Sequence, residues 1–446
     1  MKISSLGTKY LQEFGGGSSN PIFEILLILI ASVFVFSNSF ALNIIDGNGQ
    51  LLQHLFVPIA WFIGVMLVFW LINKFAKSHD RYLIPIIALL AGWGLILISR
   101  LAENFLYRQL LWLGIGLMLI TVITLVPRNL RWLRHYRYTL LAFGLLLLLA
   151  TILFGVNPSG SGAALWLKVP FAGHVYFQPS ELLKVILVIF LASYFDEREP
   201  IRGFKFFKSK SPLGSQAANL LPLFLMWGFS LLILIWQRDL GTATIFFIVF
   251  LALLYLATGS RRMIAAGLSL LLVAAIIAYA IFDVVSLRID TWIDPWSEAT
   301  GRGFQIVQSL YSLASGGIFG QGVGLGSPTY IPVVHTDFAF AAVGEEWGLI
   351  GGLTVVALFA VLAYRGFRIA AQSKRPFRIY LAAGLAIMFS VQSLLIMGGV
   401  TKVLPLTGVT LPFVSYGGSS MVISSIMVGL LLNMSRYPDN NISYRE

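Results

Sequence analysis

Along this chain apolar residues gather in long, nearly unbroken runs, separated by short polar or glycine- and proline-bearing stretches. A hydrocarbon core about 30 Å thick needs roughly 20 apolar residues per helix, and a window of that length predicts about twelve spans. They lie near Phe23–Leu42, Phe56–Leu71, Leu83–Ile98, Leu110–Val126, Thr139–Phe154 and Leu182–Phe195. The others lie near Leu220–Ile235, Thr242–Leu256, Met263–Phe282, Phe338–Leu362, Ile379–Gly399 and Leu411–Met434. The pattern predicts an all-α polytopic membrane protein. Ser39-Phe40-Ala41 loosely fits a signal-peptide cleavage site, but the apolar run is long for a leader and about twenty residues precede it, which favours a retained helix.

Composition agrees. Of 446 residues, 58% are hydrophobic and 11% charged, and the mean hydropathy is +0.84. Soluble domains carry about 25% charged residues, so an ordinary soluble enzyme is excluded. The absence of cysteine removes disulfides, thiolate nucleophiles and Cys-ligated metals. Five histidines, His54, His79, His135, His174 and His335, are too scattered for a His-based metal centre. Among 31 Lys and Arg, all but Arg100, Arg108, Lys168, Lys184, Arg238, Arg288, Arg302 and Lys402 fall on one side of the predicted topology. The positive-inside rule then puts both termini in the cytoplasm. The net charge of +12 is thereby a topology and lipid signal, and gives no argument for nucleic acid.

The polar chemistry gathers on the opposite, outer side. The longest connection, Asp283 to Asp337, carries Trp292, Trp296, Phe304, Tyr311 and Tyr330, and within it Gln305–Ser315 reads as a short amphipathic helix. A second outer loop, Gly155–Pro179, holds Trp166, Leu167 and Val169, suited to the membrane interface. Carboxylates at membrane depth need a partner or a role. Glu181 and Lys184, three apart at a helix start, can form a neutralising ion pair or line a cavity. Asp239 can cap a helix or face a ligand. Asp337, flanked by His335 and Thr336, ends the long outer loop and is well placed to meet a substrate. Glu345 and Glu346 follow; one is expected to face the bundle and the other to support a neighbouring helix.

Glycines at 316, 317, 320, 322, 324 and 326 lack the strand and Lys-Ser/Thr of a phosphate loop, which leaves close backbone approach or hinge mobility. Pro405 to Ser420 is too rich in Gly and Pro for a plain helix and predicts a broken or re-entrant start to the last span.

These strings in this order resemble the SEDS family (shape, elongation, division and sporulation), the RodA/FtsW proteins of bacteria. The resemblance rests on Phe177-Gln178-Pro179-Ser180-Glu181-Leu182-Leu183-Lys184, Asp239-Leu240-Gly241-Thr242-Ala243, and Gln308-Ser309 with Ser315-Gly316-Gly317. It rests equally on His335-Thr336-Asp337-Phe338, Gly344-Glu345-Glu346-Trp347-Gly348-Leu349-Ile350-Gly351-Gly352, and Leu411-Pro412-Phe413-Val414-Ser415-Tyr416-Gly417-Gly418-Ser419-Ser420. It implies a ten-helix core over residues 79–446, with the large outer loop 283–337 before its final helices. Residues 1–78 would be an added tail and two further transmembrane helices. Two departures stand out: Gln237-Arg238-Asp239 replaces the family's Gln-Pro-Asp, and Ala163-Ala164-Leu165 stand where basic residues often precede the loop tryptophan, Trp166.

The resemblance implies a peptidoglycan glycosyltransferase that polymerises lipid II at the outer face of the cytoplasmic membrane, in cell elongation or division. Asp337 is the expected catalytic base. Arg288 and Lys402, with Arg302 third, are the expected cations for the departing diphosphate. His335, Thr336, Glu181, Lys184, Asp239, Ser415 and Ser419 complete the expected substrate-binding set. A divalent cation, Mg or Mn, bridging Asp337 and the diphosphate stays open, with no dedicated cage in the sequence. The Gly-rich loop would act as a mobile cover. The implied partners are a class B penicillin-binding protein, with Gly351, Gly352, Ala357 and Ala360 offering small residues for its helix, and other elongasome or divisome membrane proteins. The rival readings are a lipid II flippase and a non-enzymatic scaffold of the wall-synthesis complex.

Overall fold

The computed structural model describes residues 21–46, 51–76, 78–127, 130–157, 164–168, 175–197, 239–436 and a few between 228 and 237. Most of the expected span Leu220–Ile235, the basic run of Arg198, Arg202, Lys205, Lys208 and Lys210, and Ala163, Val169, His174 and Arg238 lie outside the described residues.

The apolar runs fold as helices: α1 Pro21–Asp46, α2 Leu51–Phe75, α3 Leu83–Leu101, α4 Leu106–Leu125, α5 Arg137–Phe154 and α6 Pro179–Glu197. They continue as α7 Leu240–Thr258, α8 Arg261–Ile281, α9 Asp283–Ile293, α10 Phe304–Gly316, α11 Ala339–Glu346, α12 Gly348–Gln372, α13 Pro376–Val400 and α14 Gly418–Ser435. Ten of these are long and apolar enough to cross a membrane among the described residues. Helix α6 is equally buried in the bundle but bears Glu181, Lys184, Asp196 and Glu197. The bundle centre is built by α3, α6, α7, α13 and α14, whose side chains are mostly buried. Before α6, a two-stranded hairpin pairs Leu167 with Phe177 and Lys168 with Tyr176, which tethers the loop holding Trp166. Helix α8 differs from the rest. Gly267, pressed against Leu251 of α7, is its one buried residue.

Two expectations are corrected. The single span over Phe338–Leu362 is two helices, broken at Trp347–Gly348, with Gly348 at φ +67°. The loop after α10 forces this break: Leu349 and Ile350 donate backbone N–H to the carbonyls of Gly317 and Ile318. The long outer connection also contains a helix that the apolar pattern did not reveal, α9, beside the expected one, α10.

The glycine question resolves toward close approach. A Cβ on Gly316 would sit 1.9 Å from the Gly344 carbonyl oxygen, and one on Gly320 would sit 2.2 Å from that of Glu346. Gln321 and Gly322 donate to the Glu345 and Glu346 carbonyls. The loop is laced to α11 and is no free cover.

From Thr401 to Gly417 the chain leaves helical structure, exposed at Val403, Leu404 and Gly408 and buried at Val409 and from Leu411 to Ser415. Backbone N–H and C=O groups at such depth must be satisfied by protein, since lipid offers no partner. Buried side chains supply the bonds. Lys184 Nζ lies 2.7 Å from Glu181 Oε1 and 3.0 Å from Gln392 Oε1, and Gln392 Nε2 donates to the Thr410 carbonyl at 2.8 Å. Gln109 donates to the Ser415 carbonyl and accepts from the Gly417 N–H. Removing one member of a buried ion pair leaves an uncompensated charge, at a cost of about 3–5 kcal/mol. Lys184→Met is therefore expected to lower the detergent-solubilised melting temperature sharply, and Lys184→Met with Glu181→Gln to recover most of the loss.

Candidate active site

Asp337 stands at the end of the long connection, one residue before the buried anchor Phe338 and two before α11. The turn that delivers it is tight: Val333 takes φ +57°, and its carbonyl accepts from both the N–H and the hydroxyl of Thr336. His335 is locked on either side. Its carbonyl accepts the Tyr416 N–H at 2.8 Å, and its ring lies 5.4 Å from Phe105 and 5.8 Å from Tyr416. Burial lowers the His335 pKa, which favours a neutral ring. The Asp337-bearing turn is thus bonded directly to the non-helical 401–417 segment.

Arg288, on α9, reaches the same place. Its Nη1 donates to the Thr407 carbonyl at 3.2 Å. A Cβ on Gly408, at φ +69°, would lie 3.5 Å from Arg288 Nη2 and 3.8 Å from Asp337 Oδ2, so guanidinium and carboxylate converge over a glycine that has no side chain to separate them. Asp239 completes the group. One oxygen caps α7 by accepting the Thr242 N–H at 3.2 Å, while Oδ2 is buried without a hydrogen bond. Gly241 brings α7 against the Thr407 carbonyl, where a Cβ would stand 2.5 Å away. Arg288 therefore feels both carboxylates, Asp337 more than Asp239, although burial outweighs them and lowers its pKa. Burial likewise raises Asp337 to about 6, against the opposing pull of Thr336 and Arg288. A carboxyl near pH 6 beside a cation suits general-base work at neutral pH.

The other expected residues fall elsewhere. Arg302 is exposed and pairs with Glu298 at 3.7 Å, away from this group because its side chain projects from a surface turn. The Lys402 ammonium turns to the Ile293 carbonyl at 3.3 Å and is exposed. Glu181 and Lys184 are engaged with each other and Gln392, Ser415 accepts the Leu411 N–H, and Ser419 accepts the Gln178 N–H. All four are thereby engaged in bonds within the bundle and the 401–417 segment. Glu345 and Glu346 are both buried: Glu345 accepts the Ser327 N–H at 2.6 Å and Glu346 faces Arg100 at 3.6 Å. Gly351 and Gly352 point inward, toward Trp347 and Phe340, so only Ala357 and Ala360 of the expected small-residue patch are exposed. Gln392, Gln109, Thr407 and Gly408 were missed by sequence reasoning. A glutamine inside an apolar span was the signal for the first two.

Fold and site define a multi-pass membrane protein with a carboxylate–guanidinium centre where an irregular segment meets a long connecting loop. The family model described as "Cell cycle protein", for FtsW, RodA and SpoVE, matches residues 83–440, and the chain belongs to that family. It is 34% identical over 433 residues to the peptidoglycan glycosyltransferase RodA of Mycobacterium tuberculosis, covering 92% of this chain and 90% of that protein. The stage V sporulation protein E of Bacillus subtilis is 33% identical, over 81% of this chain and 98% of its own length. Among solved structures, the chain resembles one described as "Structural coordination of polymerization and crosslinking by a peptidoglycan synthase complex" (TM-score 0.66, 29% identity, 81% of this chain and 99% of that one). It also resembles the RodA of Thermus thermophilus (TM-score 0.58, 26% identity, 81% and 98%).

Because Arg288 is only partly buried, its loss is expected to cost less than that of a fully buried partner, about 1–3 kcal/mol. Arg288→Met should lower the melting temperature at pH 7.5 and Arg288→Lys should lower it less, as read by thermal unfolding of the purified protein.

Proposed function

We propose that this protein is a peptidoglycan glycosyltransferase that polymerises lipid II. The observation that carries the reading is the convergence of Asp337 and Arg288 over Gly408, beside a loop that bears the family's characteristic strings. The names of its RodA relatives support it.

The reaction joins the 4-hydroxyl oxygen of an acceptor sugar to the anomeric carbon of a donor, breaks the bond from that carbon to the lipid diphosphate, and inverts the centre. Asp337, ionised above about pH 6, takes the hydroxyl proton as the new bond forms. Arg288, held by the Thr407 carbonyl, faces the charge gathering on the departing diphosphate. His335 and Thr336 keep the carboxylate's turn in place.

The residues also fit a hard divalent cation. Asp337 and the unbonded Oδ2 of Asp239, both close enough to act on Arg288, are the residues that would hold Mg or Mn, and the ion would supply additional neutralisation of the leaving group. No third His, Asp or Glu converges there among the described residues.

Lipid tails would reach the site beside α8, whose flanks are largely open. Lysines and arginines at the opposite end support a cytoplasmic-membrane protein with both termini inside and this site outside. A class B penicillin-binding protein, the cross-linking transpeptidase, is the proposed partner. The likeness to a complex that couples polymerisation to crosslinking supports it, and Ala357 and Ala360 on the exposed face of α12 give its helix room. Against a transport role, Glu181 and Lys184 are bonded to each other at membrane depth.

Purified protein given labelled lipid II is expected to yield a ladder of glycan strands on a gel. Asp337→Ala should reduce the rate by about 10²–10⁴-fold; equal polymer from the variant would defeat the assignment. The raised carboxyl pKa also fixes a pH dependence. The base is protonated and idle at pH 5 and ionised at pH 7, so initial rate should climb through that range with its midpoint near 6.

A further inference from the structure

The matched family region starts at residue 83, so α1 and α2 precede it. They are joined to the rest at both ends of α1. At one end Glu24, fully buried, accepts from Arg81 Nη1 at 2.8 Å, faces His79 Nε2 at 3.1 Å and accepts from Asn73 Nδ2 at 3.3 Å. Along the middle, Val35 presses on Gly92 of α3, where a Cβ would lie 2.4 Å away, and Phe34 packs on Trp93 at 4.7 Å.

The other end of α1 touches the loop system of the site. Asn38 Oδ1 accepts from Trp347 Nε1 at 3.2 Å, while its Nδ2 donates to the Phe34 carbonyl at 2.7 Å. Both ends of the amide are thereby satisfied, as an amide within an apolar helix requires. Trp347 is the joint between α11 and α12 and packs edge-on to Trp93 at 5.3 Å. Further along α1, Leu42 and Ile45 close over Gly324, 2.9 and 3.2 Å from where its Cβ would be. The carbonyls of Gly324 and Gly326 accept from Arg100 Nη2 at 3.3 and 3.2 Å.

Gly324 lies upstream of Asp337 and Trp347 downstream, so α1 touches both anchors of the segment that delivers the carboxylate. We infer that α1 is a brace for this segment, and that Asn38 is a positioning residue acting on Asp337 through Trp347. The role in the rate rests on the polymerase reading; the role in ordering the loop does not.

The full chain in lipid nanodiscs tests both. Asn38→Leu should speed hydrogen exchange about two- to tenfold in peptides holding Gln321 and Gly322, the scale of one lost hydrogen bond. It should lower kcat for lipid II by a similar factor with KM held within twofold, and Asn38→Gln should stay within twofold of the unaltered protein in both measurements. Leu42→Ala with Ile45→Ala, which leaves Asn38 in place, should raise the same exchange and carries the test if Asn38→Leu does not fold. Unchanged exchange in these variants would overturn the brace, and faster exchange with unchanged kcat would overturn the positioning role. If the unaltered chain made no polymer, the polymerase reading would fail while the exchange result still judged the brace.

Discussion

A buried backbone that abandons helical bonding must find its partners within the protein, and the 401–417 segment sets the terms for this fold. Four of its backbone groups are met by Gln392, Gln109 and Arg288, its Tyr416 N–H by the His335 carbonyl, and its Thr410 hydroxyl by that of Ser420. Gln392 is in turn held by Lys184, which pairs with Glu181. Charge at membrane depth is costly, and here it is retained in an arrangement whose far end is the carbonyl that orients a guanidinium. Stability and chemistry are therefore linked through one strand of irregular chain.

The second constraint is steric. Glycine lets backbones meet where a methyl group would collide, at Gly316 with Gly344, at Gly320 with Glu346, and at Gly241 with Thr407. These contacts fix the long connection to the broken helix and α7 to the irregular segment. At Gly408 the backbone takes φ +69°, and a Cβ there would touch both Asp337 and Arg288. Desolvation there raises the carboxyl toward the range in which it can exchange a proton near neutrality, and the nearby guanidinium keeps it from rising further.

Much of this was legible in the linear chain. Run length gave the helices, and Gly and Pro density gave the irregular start before α14. Asp337 stood out because it ends the long outer loop between a histidine, a threonine and an apolar run. Asp239 and Glu181 carried two readings each; Asp239 caps α7 with one oxygen and has the other buried without a hydrogen bond, and Glu181 pairs with Lys184. What stayed hidden depended on distant pairing. Nothing local distinguishes Arg288 from Arg302, which differ in whether the turn or helix beneath them aims the side chain inward. The break at Trp347 lies in a run whose length and apolar residues on both sides of Glu345 and Glu346 read as one span, and its cause is a loop some thirty residues earlier in the chain. Gln392 and Gln109 are uncharged and passed unnoticed among leucines and isoleucines.

Helix α8 has almost no inward face, yet the chain passes from it into α9 with a single residue between them. In a bilayer, acyl chain would be the packing medium over most of its circumference, conforming to whatever length and tilt the bilayer imposes. The placement of Arg288 would then answer to membrane thickness as well as to the Thr407 carbonyl. The surrounding lipid would thereby act as a structural component of the site, and a bilayer of altered depth would retune it without changing any atom of the polypeptide.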